Sequence, residues 1–169
     1  MLQEFIVAVK PNISRKSYTK KSCRLISMPH LRFCRDIGKY WIENNMRGCK
    51  IVNVASLCTF FGSVKIPVYS MSKGGVGQLT KALSNEWASK GVNVNAIAPG
   101  YYIATDMNRD IVTGDPAYLK SITDRIPAGH WGKPEDMKGP VVFLASDAGG
   151  HTVERGAKIV HRGADFGWK

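Results

Sequence analysis

Two short β-branched runs, Lys50 to Ala55 (KIVNVA) and Val92 to Ala98 (VNVNAIA), flank one long helical stripe, and no other feature restricts the fold of this chain so tightly. Between them Val76, Leu79, Leu83 and Trp87 recur at helical intervals. The spacing predicts a helix from Tyr69 to Lys90 with one apolar face, closed by Gly91. A strand, a crossover helix and a second strand in that order lie parallel in one sheet, because an antiparallel pair needs only a tight turn.

The remaining signals extend this unit on both sides. Phe33, Ile37 and Trp41 repeat every four residues, which predicts a helix over 31 to 46, with Gly48 suited to end it. A helix is expected within 115 to 125. Another begins at Pro134, where Glu135 and Asp136 complement the helix dipole, and runs to about Ser146. Ala157 to Val160 reads as a last strand. The order makes an α/β chain with a parallel sheet. Gly74, Gly75 and Gly77 fall inside the long helix, where each costs about 1 kcal/mol relative to Ala, so close packing against a neighbouring helix or a ligand is the expected reason.

Composition bounds the class. A chain of 169 residues with 44% hydrophobic and 22% charged residues suits one globular domain, and argues against wholesale disorder or a disulfide scaffold. Its apolar runs are broken well short of the ~18 residues of a spanning helix, so no membrane span is expected. Cys23, Cys34, Cys49 and Cys58 form no CxxC pair, and the histidines stand apart from them; free thiols in a reducing compartment are expected, and no metal site. The net charge of +11 is concentrated at the start, where residues 1 to 32 hold seven Lys or Arg against Glu4 alone. Residues 1 to 30 are read as a basic leader of poor order, and 31 to 169 as the folded domain. A cytoplasmic location is expected, with a mitochondrial presequence as the lesser alternative, since Lys outnumbers Arg and no helical stripe is present. The leader lacks the interleaved aromatics of a base-stacking surface, so nucleic acid is not the expected partner.

Tyr69 and Lys73 are one turn apart, so their side chains share a helix face. A phenol with pKa about 10 is a poor base at neutral pH, and a neighbouring ammonium favours its ionised form. Ser56 follows the first strand, thirteen residues before Tyr69, at the end of the sheet where α/β folds place ligands. Its hydroxyl can polarise a carbonyl oxygen.

The run from Ile51 to Gly100, "IVNVASLCTFFGSVKIPVYSMSKGGVGQLTKALSNEWASKGVNVNAIAPG", resembles the catalytic half of the short-chain dehydrogenases/reductases in its serine, its Tyr-x-x-x-Lys and its Pro-Gly. The resemblance implies that Ser56 polarises the substrate oxygen, that Tyr69 is the general acid/base, and that Lys73 supports Tyr69 and binds the nicotinamide ribose of NAD or NADP. Pro99 and Gly100 would form the turn beside the nicotinamide, with Ile103 and Thr105 as further cofactor contacts. The doubled Tyr101-Tyr102 adds one residue to the usual spacing there. The segment "RIPAGHWGKPEDMKGPVVFLASDA" is similar to sugar-acid and polyol members, among them keto-deoxy-gluconate and deoxy-gluconate dehydrogenases, which implies a sugar-acid or polyol substrate.

The same resemblance marks departures. The implied fold is a partial Rossmann-like, doubly wound parallel sheet without the family's N-terminal strands and Gly-rich turn, whose backbone amides would receive the cofactor's pyrophosphate. Where the family carries a catalytic asparagine ahead of the serine strand, this chain has Ser27, Met28 and Pro29. One edge of the strand at 50 to 55 would lie open unless residues 1 to 30 or another subunit covers it, so a homo-oligomer is expected. The expected function is NAD(P)-dependent hydride transfer at a hydroxyl or keto group; the alternative is a truncated, inactive remnant of the family. A binder of nucleic acid or anionic surfaces through the basic leader is the third reading.

Overall fold

A computed structural model describes residues 5–7, 21–64, 66–102, 113–153 and 159–160. Strand β1 (Phe5–Val7) precedes helix α1 (Lys21–Glu43), then β2 (Cys49–Val54), α2 (Pro67–Trp87) and β3 (Val92–Ile97). Helices α3 (Pro116–Thr123) and α4 (Lys138–Ala145) and strand β4 (Ile159–Val160) complete the order. The sheet is parallel throughout, in the order β1-β2-β3-β4.

The α/β reading of the sequence holds, with differences at element ends; the helix expected from Pro134 opens as a 3-10 turn over Pro134–Met137, and α4 follows from Lys138. Helix α1 begins at Lys21, ten residues before the expected start, and continues through Pro29. Its first turns carry Lys21, Ser22 and Arg24 rather than an apolar stripe, so periodicity has nothing to register there. At its other end Asn45 takes the left-handed conformation (φ 53°) just past the last turn, which is the work expected of Gly48. Gly48 (φ 77°) instead turns the chain into β2. Helix α2 starts at Pro67, whose missing N–H costs nothing in a first turn. It tightens into a 3-10 turn over Ala88–Lys90 that closes at Gly91 (φ 86°).

Strand β1 falls within the segment expected to be a basic leader. It lies along β2 with Phe5 opposite Lys50, Ile6 opposite Ile51 and Val7 opposite Val52, so residues 1 to 30 supply a neighbour to part of the edge that was expected to be open. The sequence does carry an apolar run there, FIVAV over residues 5–9, but the basic residues that follow it give the segment the composition of a leader.

Alternation along the strands divides the core into two layers. Cys49, Ile51, Val92 and Val94 pack with Cys34 and Trp41 of α1 and with Leu83 and Trp87 of α2. Val52 and Ile97 turn to the opposite face and pack on Leu144 of α4. Helices α1 and α2 are therefore on one side of the sheet and α4 is on the other. The helices α1 and α2 come closest at Gly38, where an added Cβ would sit 2.4 Å from the Trp87 ring. Of the glycines of α2, Gly74 has nothing within 4 Å of its Cβ position, whereas Gly75 meets the Ser27 hydroxyl of the neighbouring helix α1 at 3.4 Å and Gly77 is buried.

Candidate active site

The carboxyl ends of β2 and β3 hold the residues singled out in the sequence, because in a parallel sheet every strand delivers its following loop to the same side. Ser56 stands just beyond β2. It caps the 3-10 turn Leu57–Thr59, its Oγ accepting the Cys58 N–H at 3.3 Å. The cap uses a lone pair and leaves the hydroxyl proton as a donor. The side chain is nearly buried, at 8% exposure.

Tyr69 lies in the first turn of α2, half-buried, and packs on Ala55, Val76, Ala96 and Ala98. Four small or short side chains let the ring lie close to the ends of both strands. One turn later Lys73 is 2% exposed. Its Nζ donates to the Val54 carbonyl at 2.6 Å and stands 5.9 Å from the centre of the Tyr69 ring. An ammonium over an aromatic face at that range is attracted by the ring quadrupole. A buried cation needs such partners, since desolvation otherwise penalises the charge.

The loop after β3 is tied to the loop after β2. Leu57 N–H donates to the Pro99 carbonyl at 3.2 Å, and Ala55 N–H to Ile97 at 2.8 Å. Pro99 and Gly100 are thereby brought beside Ser56. Ile103 and Thr105 lie outside the described residues. The two tyrosines ahead of them are both anchored: Tyr101 meets Trp131 edge-on, with ring centroids 5.2 Å apart, and Tyr102 is buried and pairs with Gly132. Trp131 is fixed in turn by its indole N–H to the Thr123 hydroxyl, at 2.8 Å.

Two acidic groups at this end are held in their neutral forms. Burial pushes the Cys58 thiol up, against the opposing effects of the Ser56 and Ser70 hydroxyls and the Lys73 charge. Burial also raises the Tyr101 phenol, and the nearby Cys58 and Tyr118 add to that, while Arg125 opposes it. Cys58 is two residues past Ser56 and Tyr101 adjoins Gly100, although nothing in their sequence spacing marks them. Among the described residues no group of three or more His, Cys, Asp or Glu side chains is arranged to hold a metal ion.

Tyr69 and Lys73 gather with Pro99 and Gly100 beside Ser56, and a phenol with an ammonium is a polar set whose chemistry suits the hydroxyls of a nicotinamide-ribose. Residues 1 to 37 contain no glycine, so they hold no Gly-rich turn of the kind that receives a pyrophosphate.

A family model described as Enoyl-(Acyl carrier protein) reductase matches residues 30–160. A 2-dehydro-3-deoxy-D-gluconate 5-dehydrogenase of Pseudoalteromonas atlantica is 51% identical over 134 residues, which are 79% of this chain and 49% of that protein. The protein of the same name from Escherichia coli is 49% identical over 111 residues, 66% of this chain and 43% of its own length. Among solved structures, a gluconate 5-dehydrogenase from Burkholderia cenocepacia in complex with NADP and tartrate superposes with a TM-score of 0.77 at 26% identity, over 94% of this chain and 63% of that one. The chain spans about half the length of the curated relatives it matches.

Proposed function

The chain belongs to the short-chain dehydrogenase/reductase family, and from that premise we propose that it serves an NAD(P)-dependent oxidoreductase acting on a hydroxyl or keto group of a sugar acid or polyol. The observation that carries the reading is the buried Lys73 ammonium, anchored on the Val54 carbonyl and set over Tyr69 beside the capped Ser56. The sugar-acid substrate is supported by the relatives, which are named for gluconate derivatives.

In this reading Ser56 donates its hydroxyl proton to the substrate oxygen and holds it against Tyr69. Tyr69 gives a proton to that oxygen or takes one from it at its Oη. Lys73 keeps a positive charge close to the phenol, which favours the phenolate, and presents its ammonium to the ribose. Tyr69, Lys73, Pro99 and Gly100 would hold the nicotinamide end of the cofactor, and Ile103 and Thr105 are proposed to extend that contact. A bound nicotinamide would supply or accept the hydride. The same reading places the protein in the cytoplasm, as a homo-oligomer. No helix among the described residues is long and apolar enough to cross a membrane.

A second reading, in which this polypeptide does not turn over by itself, is favoured by the lack of any glycine before Gly38. Titration with NADH and NADPH, followed by nicotinamide fluorescence, separates the two. Saturable binding supports the enzyme; none at millimolar cofactor removes autonomous catalysis. If binding occurs, Tyr69→Phe should abolish turnover, and a fully active Tyr69→Phe variant would refute the proton-transfer role.

A further inference from the structure

Beyond these groups, one hydroxyl touches both halves of the site without reaching a substrate. Thr59 Oγ1 accepts the backbone N–H of Ser56 at 3.4 Å and donates to the backbone carbonyl of Lys73 at 2.9 Å. Both bonds are possible at once only because a hydroxyl is both donor and acceptor. The Thr59 amide closes the turn by donating to the Ser56 carbonyl at 2.9 Å, which fixes the main chain of the threonine beside the serine.

The result is a closed circuit. Lys73 is held at its two ends, the ammonium by the carbonyl of Val54 and the main-chain carbonyl by Thr59. Val54 and Ser56 are two residues apart at the end of the same strand. The strand end therefore grips both the tip and the root of one long, flexible side chain. With the tip alone fixed, the four rotatable bonds of Lys73 would let the first turns of α2 shift against Ser56 while the ammonium stayed on Val54, even though Asn53 ties β2 to Thr80 farther along the helix. The distance from ammonium to phenol would then vary, and so would the distance from Ser56 to Tyr69.

We propose that Thr59 is a positioning residue, whose hydroxyl sets the register of the Tyr69–Lys73 turn against Ser56. A neighbouring bond supports a dedicated fixation of this turn. Ser27 of α1 donates to the Ser72 carbonyl at 3.0 Å, so the carbonyls of Ser72 and Lys73 are each gripped by a side chain from a different element. Thr59 grips from the 3-10 turn that Ser56 caps, and so relates the Tyr69–Lys73 turn directly to the serine.

The inference rests on the reading of Tyr69 and Lys73 as a coupled pair, and its test needs no turnover. The full chain is prepared with carbon-13 in the tyrosine ring, and Tyr69 is assigned by its loss in Tyr69→Phe and titrated by NMR. Thr59→Val keeps the shape and removes the hydroxyl, Thr59→Ser keeps the hydroxyl, and Lys73→Met reports the pair itself. The expected result is a Tyr69 midpoint raised by about half a pH unit or more in Thr59→Val and unchanged in Thr59→Ser, as the ammonium drifts from the phenol. Superimposable Thr59→Val and wild-type curves would overturn the proposal, as would a Thr59→Ser curve that follows Thr59→Val. If Thr59→Val does not fold, Thr59→Ala is measured in its place. Failure of both to fold also overturns the proposal, by making the hydroxyl a stability element. A Lys73→Met curve identical to wild type would instead remove the coupled pair, and so the reading beneath the inference.

Discussion

The Lys73 ammonium stands 5.9 Å from the centre of the Tyr69 ring, one helical turn away, and cannot move far because the Val54 carbonyl holds it at 2.6 Å. A lysine on a solvent-facing helix would sample many positions. This one is 2% exposed and is aimed by the sheet.

Replacing that lysine should therefore affect chemistry and folding together. Lys73→Met removes the donor to Val54, and the expected loss of stability is about 1–3 kcal/mol. Thermal or urea unfolding measures it, while the Tyr69 midpoint should rise because the charge favouring phenolate is gone.

A buried polar chain joins α1, β2 and α2. The Cys34 thiol donates to Asn53 Oδ1 at 3.5 Å, Asn53 Nδ2 donates to the Thr80 hydroxyl at 3.0 Å, and that hydroxyl donates to the Val76 carbonyl at 2.8 Å. Asn53→Leu should strand partners on both sides and cost about 1–3 kcal/mol in urea unfolding. A neutral substitution would show that the chain adds nothing to stability.

The same burial gives a pH dependence. Desolvation pushes the Cys34 thiol from 9.0 up to about 11, against the weaker effect of its bond to Asn53. Between those values the unfolded chain releases a proton that the folded chain keeps, so this group's contribution falls as pH rises from about 9 towards 11, by on the order of 2–3 kcal/mol. Cys34→Ala should show a flatter stability profile than wild type in that window. Parallel profiles would refute the linkage.

Two glycines should respond in opposite directions. Gly38→Ala drives a methyl to 2.4 Å from the Trp87 ring and should destabilise by about 1–3 kcal/mol. Gly74→Ala meets nothing within 4 Å and should stabilise α2 by up to about 1 kcal/mol. Calorimetric melts of both variants decide the matter.

The surface bears on assembly. Phe33 and Tyr40 lie seven residues apart on α1 and are about half exposed, and Val142 of α4 is 66% exposed. Light scattering behind size exclusion should show a homo-oligomer. A monodisperse monomer with a cooperative melt would contradict this reading and the argument from the short β1 edge.

How much could be read from the chain varies with the range of the interaction involved. The stripe Val76, Leu79, Leu83 and Trp87 and the two β-branched runs announced α2, β2 and β3, because each buries a face whose period is written locally. Phe5–Val7 escaped although it lies in the apolar run FIVAV, because the basic residues that follow gave the segment the composition of a leader. Gly48 was credited with ending α1 because glycine is the usual left-handed residue, whereas Asn45 takes that conformation first. Gly75 of α2 does meet α1, yet the tighter approach is at Gly38, whose partner is 49 residues away.

Sequence alone determined the strand-helix-strand unit, whose periodicity is local, and singled out Ser56, Tyr69 and Lys73 as the proposed reacting groups through helix-face spacing together with the family resemblance. Tertiary structure decided what surrounds those groups: the Val54 carbonyl under Lys73, the Thr59 hydroxyl between Lys73 and Ser56, and Cys58 and Tyr101 held neutral by burial. Hydrogen bonds to main-chain atoms carry no residue signature, and desolvation depends on everything packed nearby. Both exist only after the sheet has brought distant segments to one end.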